Sequence, residues 1–314
     1  MLPNGEIDND ESTKIIAISL NYSKTLCYTL GVKIKWESEA LDPSDLPTDR
    51  TRQFFFMIRH HFLLLFDYSL TFFLFQIPFY LVLIGFYIPY VNLLNAETHT
   101  ASALFSLLFE AGLTAIPALG VFGIGGAGIY GAIGKLLCEN DASYKDFFLS
   151  IKKNWRGFLL AFLLNALLFF LALLNYAAFL YVDANVNLKL IGLCASLLLL
   201  GLFLLARPYL LFQIVFFENG FGQRLKNSLI LSLGKLFSSL SLFFASYGLF
   251  IAMMFSPMTA ISIELVFQII IGSSLSVLLN LEMVFANFET RLGREQMANL
   301  YRKGLGAIKK KTEK

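Results

Sequence analysis

Six stretches of this chain contain no Asp, Glu, Lys or Arg: residues 68–96, 111–134, 157–182, 190–206, 236–263 and 265–281. A helix needs about 20 apolar residues to cross roughly 30 Å of hydrocarbon. Each stretch meets or approaches that length. The chain is therefore expected to be all-α, a polytopic transmembrane helical bundle of about six spans. Composition agrees: 57% of residues are hydrophobic, 15% are charged, and the mean hydropathy is +0.66. A soluble domain is roughly 45–50% apolar and about 25% charged. The expected spans are 62–84, 116–137, 158–181, 189–217, 237–256 and 259–285.

The cations between these spans predict an orientation. Arg50, Arg52 and Arg59 precede the first span, and Lys135, Lys145, Lys152, Lys153 and Arg156 fill the second connection. Arg224, Lys226 and Lys235 fall in the fourth connection, and the tail carries a further set from Arg291 to Lys314. The first and fifth connections carry none, and the third has only Lys189. Cytoplasmic loops carry the positive excess, so both termini are expected in the cytoplasm. Three regions follow: a cytoplasmic segment 1–61, a transmembrane domain 62–287, and a basic cytoplasmic tail 288–314. Within the first, 1–13 is acidic and polar, and 42–50 reads as a linker rich in Pro and Asp. Residues 14–36 fit either a small hairpin or a segment lying on the membrane surface.

Residues 120–134, GVFGIGGAGIYGAIG, contain a literal G-x-G-x-x-G at Gly126, Gly128 and Gly131. A dinucleotide-binding turn needs a preceding strand and a later acidic residue within a βαβ unit. Here both flanks are apolar. Gly123, Ala127 and Gly131 recur every four residues, as do Gly126 and Gly134 around Tyr130. Small residues at that spacing let a second helix approach closely in lipid. The glycine density also admits a broken helix, where protein or water lines the gap. Residues 102–115 are apolar but too short to cross, so an interfacial or re-entrant segment is expected. One long helix from 102 to 137 is the alternative, and Pro117 with the glycines argues for a break.

No catalytic centre is expected, and no cofactor, metal or nucleic-acid site. Cys27, Cys138 and Cys194 are scattered, His60 and His61 are adjacent, and His99 stands alone. Adjacent helical residues diverge by about 100° and are poorly placed to share a metal. Intramembrane charges invite functional hypotheses because they are costly. Arg207 lies deep in LLLLGLFLLARPYLLFQIVFF, beside Pro208 and about 15 Å of helix from Glu218. It reads either as a substrate or proton-pathway residue or as a structural ion pair, with Glu264 and Glu110 as candidate partners. Glu264 and Glu282 are expected near headgroup level at opposite ends of the last span. Asn165, Asn175, Gln213 and Asn280 are expected to bond between helices.

SYKDFFLSIKKNWR, residues 143–156, spaces Phe147, Phe148, Ile151 and Trp155 between polar residues. That predicts a short amphipathic helix lying on the membrane or docked on a partner. Residues 218–233 predict another.

The pieces Pro117, Gly123–Tyr130, Lys135-Leu136, Asp146-Phe147-Phe148 and Lys152-Lys153-Asn154-Trp155, then Phe216–Asn219 and Leu225–Leu229, occur in an order that resembles the YesL-like family of small bacterial membrane proteins. The chain departs from that family in its extended N-terminus and in the extra stretch between Pro78 and Pro117. The resemblance implies a non-catalytic accessory role beside a carbohydrate ABC importer and supplies no catalytic residues. On that reading Asp146, Phe147, Phe148, Lys152, Asn154 and Trp155 form the partner-docking face. The partner is then another membrane protein, an importer subunit or a second copy, with membrane lipid around both. The other reading is a small-solute carrier or channel built on Arg207 and a glycine-broken helix.

Overall fold

The computed structural model describes residues 46–95, 101–182, 185–255, 266–297 and 300–306. The hairpin or surface segment expected at 14–36 lies outside the described residues. The regular elements among them are all helical: α1 Arg50–His60, α2 Phe62–Asn95, α3 Ala101–Glu139, α4 Tyr144–Tyr181, α5 Val186–Phe216, α6 Phe221–Gly234, α7 Leu236–Phe255, a π turn Gln268–Gly272, and α8 Ser273–Met297. Five of these segments are long and apolar enough to cross a membrane, and a sixth crossing results if α6 and α7 form one span bent by 108°. Exposed Leu and Phe side chains cover the outer helix faces, as at Leu63, Leu74, Leu81, Leu198 and Phe244. An apolar surface this continuous suits hydrocarbon and not water. The chain is a multi-pass helical membrane protein.

The two ends of the described chain meet. Gly306 donates its N–H to the carbonyl of Pro47 at 2.9 Å, and Arg302 donates Nη2 to Thr48 O at 2.7 Å. Gln53 adds a bond to Leu137 O at 2.8 Å, at the end of α3. Gly304, with φ +81°, closes this junction, because a Cβ there would collide with Leu137 O. Chain ends that touch on one side of a bundle require an even number of crossings between them. Six candidate crossings, with α6 and α7 as the bent pair, meet that condition.

Two sequence expectations fail on α3 and α4. The expected break near Pro117 is absent: α3 runs unbroken for 39 residues through Pro117 and every glycine. Residues 102–115 are its first turns and neither float nor re-enter. Neighbouring helices support the backbone of a membrane helix, so proline and glycine are tolerated inside it. The second expectation concerned a separate surface helix at 143–156. That segment is instead the start of α4, continuous with the span for 38 residues. The helix expected over 218–233 is present as α6.

Most glycines of α3 make room for aromatic rings of its neighbours. A Cβ on Gly123 would lie 2.8 Å from Phe162 of α4, one on Gly125 2.5 Å from Phe75 of α2, and one on Gly134 2.9 Å from Phe216 of α5. Gly126 meets Phe158 and Phe162, Gly131 meets Ser150, and Ala127 is fully buried among α4 and α5 side chains. The small residues therefore face three helices, not one, and α3 runs through the centre of the bundle. Aromatic packing of this kind replaces the hydrophobic drive that lipid cannot provide.

Candidate functional site

Each crossing contributes one stripe of side chains to a cavity of about 400 Å³. The stripes follow helical spacing: Phe72, Gln76 and Phe79 on α2; Phe122, Gly126 and Tyr130 on α3; Phe162, Asn165 and Phe169 on α4; Leu204, Arg207 and Leu211 on α5. Phe243, Ser246 and Tyr247 come from α7, and Gln268, Ser273, Ser276, Val277 and Asn280 from the π turn and α8. Residues three or four apart share a helix face, so one stripe per helix is enough to wall a chamber. Its volume falls within the usual range for small-ligand pockets, about 300–1,000 Å³.

Among the described residues, Arg207 is the only charged side chain in the lining. Its guanidinium carbon lies 4.2 Å from the centroid of the Phe162 ring, and Nη1 donates to Tyr247 Oη at 2.8 Å. No carboxylate of the described residues pairs with it. Its Nε is buried without a partner. Of the two partners expected from sequence, Glu110 is exposed on the first part of α3, and Glu264 lies outside the described residues. Glu218 is exposed beyond the end of α5. Cation–π contact and one phenol soften the burial of the guanidinium but do not neutralise it.

Three more lining side chains are under-bonded. The amide oxygens of Gln76, Asn165 and Gln268 are buried and accept no hydrogen bond. Buried polar atoms in folded proteins are almost always paired, so four idle atoms around one cavity are unusual. Asn280 is better satisfied: it accepts from Ser246 Oγ at 2.6 Å and donates to Ser276 O at 2.8 Å. Of the four amides expected to bond between helices, Asn280 does so to α7, and Gln213 does so to Ser228 of α6 at 2.8 Å. Asn175 instead donates within its own helix to Leu171 O at 2.9 Å, and the Asn165 oxygen is idle.

The remaining residues singled out from sequence lie elsewhere. Gly126 alone of the small residues lines the cavity; Gly123, Ala127, Gly131 and Gly134 serve helix packing. The glycine-broken helix expected for a carrier is not there, since α3 is continuous. Glu282 is packed inside the protein. It is buried beneath Arg50, whose Nε lies 4.0 Å from its carboxylate, while Arg50 also bonds Glu289 and Gln53. Of the expected docking residues, Asp146, Phe147 and Asn154 are buried and belong to the fold. Asp146 accepts from the Ser143 N–H at 2.7 Å and from Lys135 Nζ at 2.8 Å, which anchors the start of α4 to the end of α3. Phe147 fills the space over Gly128. Phe148, Lys152 and Trp155 remain on the surface.

Sequence reasoning picks out Arg207, Asn165 and Asn280 and misses Gln76, Tyr247 and Ser273. The available signal is an amide or hydroxyl inside an otherwise charge-free stretch. Comparison of the chain with family models, with curated proteins and with solved structures finds no match, so the family resemblance read from its loops stays an expectation.

Proposed function

We propose that this protein is a membrane carrier that binds a small organic anion in its central cavity, at Arg207. The supporting observation is a guanidinium beside a chamber that, among the described residues, is lined by no carboxylate. An uncompensated charge away from water is costly, and a bound anion removes that cost through charge-assisted hydrogen bonds. The cavity draws on every crossing, which is how a substrate can couple to the relative motion of helices. The cation-rich end of the bundle then faces the cytoplasm, in agreement with the distribution of Lys and Arg.

The test uses purified full-length protein. Acetate, lactate, benzoate and phosphate are each titrated while the melting temperature is followed. A ligand of the folded state raises it in proportion to the logarithm of its concentration. At least one of these anions is expected to stabilise the wild type, and Arg207→Ala should weaken its binding by more than about tenfold. The stabilising anion should then enter proteoliposomes only when the protein is present. Stabilisation that is unchanged in Arg207→Ala would overturn the proposal.

A second reading keeps the accessory role, and one observation favours it. Tyr144, Phe148, Leu149 and Trp155 are all exposed on the first turns of α4, at the cation-rich end. A partner protein docked there should co-purify stoichiometrically from native membranes in mild detergent. Repeated recovery of the chain alone counts against it.

A further inference from the structure

We infer that the cavity selects an aromatic carboxylate bearing a hydroxyl group at the end remote from its carboxylate. This rests on the anion-site reading of Arg207 and describes the rest of the ligand.

The hydroxyl requirement comes from Ser273. Its Oγ donates to the carbonyl of Gln268 at 3.2 Å, which uses its one proton. Only acceptor capacity is left. Gln76 Nε2 donates to that oxygen at 3.4 Å and Gln268 Nε2 at 3.3 Å. Each amide oxygen is bonded to the same carbon as its nitrogen, so both idle Oε1 atoms are held close to Ser273. Both side chains are more than nine-tenths buried. Two neutral acceptors left idle around one hydroxyl call for a donor. The π turn that carries Gln268 is the kind of helix irregularity that re-aims side chains at functional sites.

The ligand's two ends are assigned by partners. Arg207 bonds Tyr247 and lies over the Phe162 ring, whereas Ser273 gathers Gln76 and Gln268. The cation and the idle acceptors share no partner, so a ligand that meets both carries its hydroxyl away from its carboxylate. Phe72, Phe79, Phe122, Phe162 and Phe243 line the cavity between them and favour a flat apolar body. Charge narrows the class further. A ligand of net charge −1 balances Arg207, whereas an ammonium group in place of the hydroxyl would have no counter-charge in the described lining.

The probes are 4-hydroxyphenylacetate, phenylacetate and tyramine, titrated calorimetrically into the purified full-length protein. We expect 4-hydroxyphenylacetate to bind about tenfold or more tightly than phenylacetate, and tyramine not to bind. Gln76→Leu and Gln268→Leu should reduce that preference to less than about threefold while retaining phenylacetate binding, which also reports a folded pocket. If a leucine variant does not fold, Gln76→Asn gives the same readout with less change in shape. Equal affinity for the two carboxylates in the wild type overturns this inference and leaves the anion site standing. So does binding of phosphate or acetate with no binding of either aromatic acid. Binding that Arg207→Ala leaves unchanged overturns both.

Discussion

Arg207 behaves differently from an arginine that holds a fold together. A structural guanidinium pairs with a carboxylate, and removing it leaves that carboxylate buried and unpaired. Arg207 has no such partner among the described residues. Arg207→Met, which keeps much of the apolar volume, is therefore expected to leave the ligand-free protein equally stable or more stable by about 1–3 kcal/mol. Thermal unfolding in detergent without added anion measures this. A lower melting temperature would assign the residue a structural role instead. His61, between α1 and α2, gives a pH dependence of known sign. Burial, with the adjacent His60 second, holds its imidazole below the ordinary value, and Asp141 opposes them more weakly. The folded state thus disfavours the charged ring. Well above pH 6.5, the ordinary value, the ring is neutral in both states and has no effect. As pH falls through that value toward the lower folded one, the unfolded chain takes up the proton first and stability is lost. His61→Gln should flatten the decline in melting temperature between about pH 7.5 and about pH 5. An unchanged slope would show that other groups carry it.

At the scale of the element, α3 is the informative helix. Its glycines are legible in sequence as small-residue packing positions, but not the identity of the groups that fill them. Those groups come from α2, α4 and α5. A Cβ on Gly128 would sit 2.6 Å from the fully buried Phe147 ring, which has no room to withdraw. Gly128→Ala is expected to cost about 1–3 kcal/mol through overpacking. Gly201 on α5 has nothing within 4 Å of such a Cβ. Gly201→Ala should be neutral or stabilise by up to about 1 kcal/mol, because alanine is the better helix former. Equal effects at the two positions would contradict this packing. The missed continuity of α3 has the same origin. Pro117 and the glycines disfavour a helix in isolation, and only packed neighbours decide whether they break one.

At the scale of the whole molecule, α2 to α5 are longer than the hydrocarbon is thick. The 38 residues of α4 extend about 57 Å, against roughly 30 Å of hydrocarbon, so its ends project beyond it. Accessibility from the two faces can therefore be read cleanly. In a chain lacking its native cysteines, Arg52→Cys, Lys153→Cys and Gln223→Cys should react with an impermeant maleimide from one face. Val182→Cys should react from the other, and the first face should be cytoplasmic. Labelling of Arg52→Cys and Gln223→Cys from opposite faces would exclude the six-crossing arrangement.

The sequence by itself determined that this chain is a helical membrane protein, because the requirement for long charge-free stretches is local and survives in any order of packing. It also placed the cations on alternating connections. The tertiary structure alone decided where the helices continue, which glycine meets which ring, and that a cavity exists. Gln76, Asn165, Arg207, Tyr247 and Gln268 come from five separate segments, and each is an ordinary polar interruption in its own stretch. They are brought together with most of their bonds unmade, and hydrogen-bond satisfaction can be judged only once every neighbour is in place.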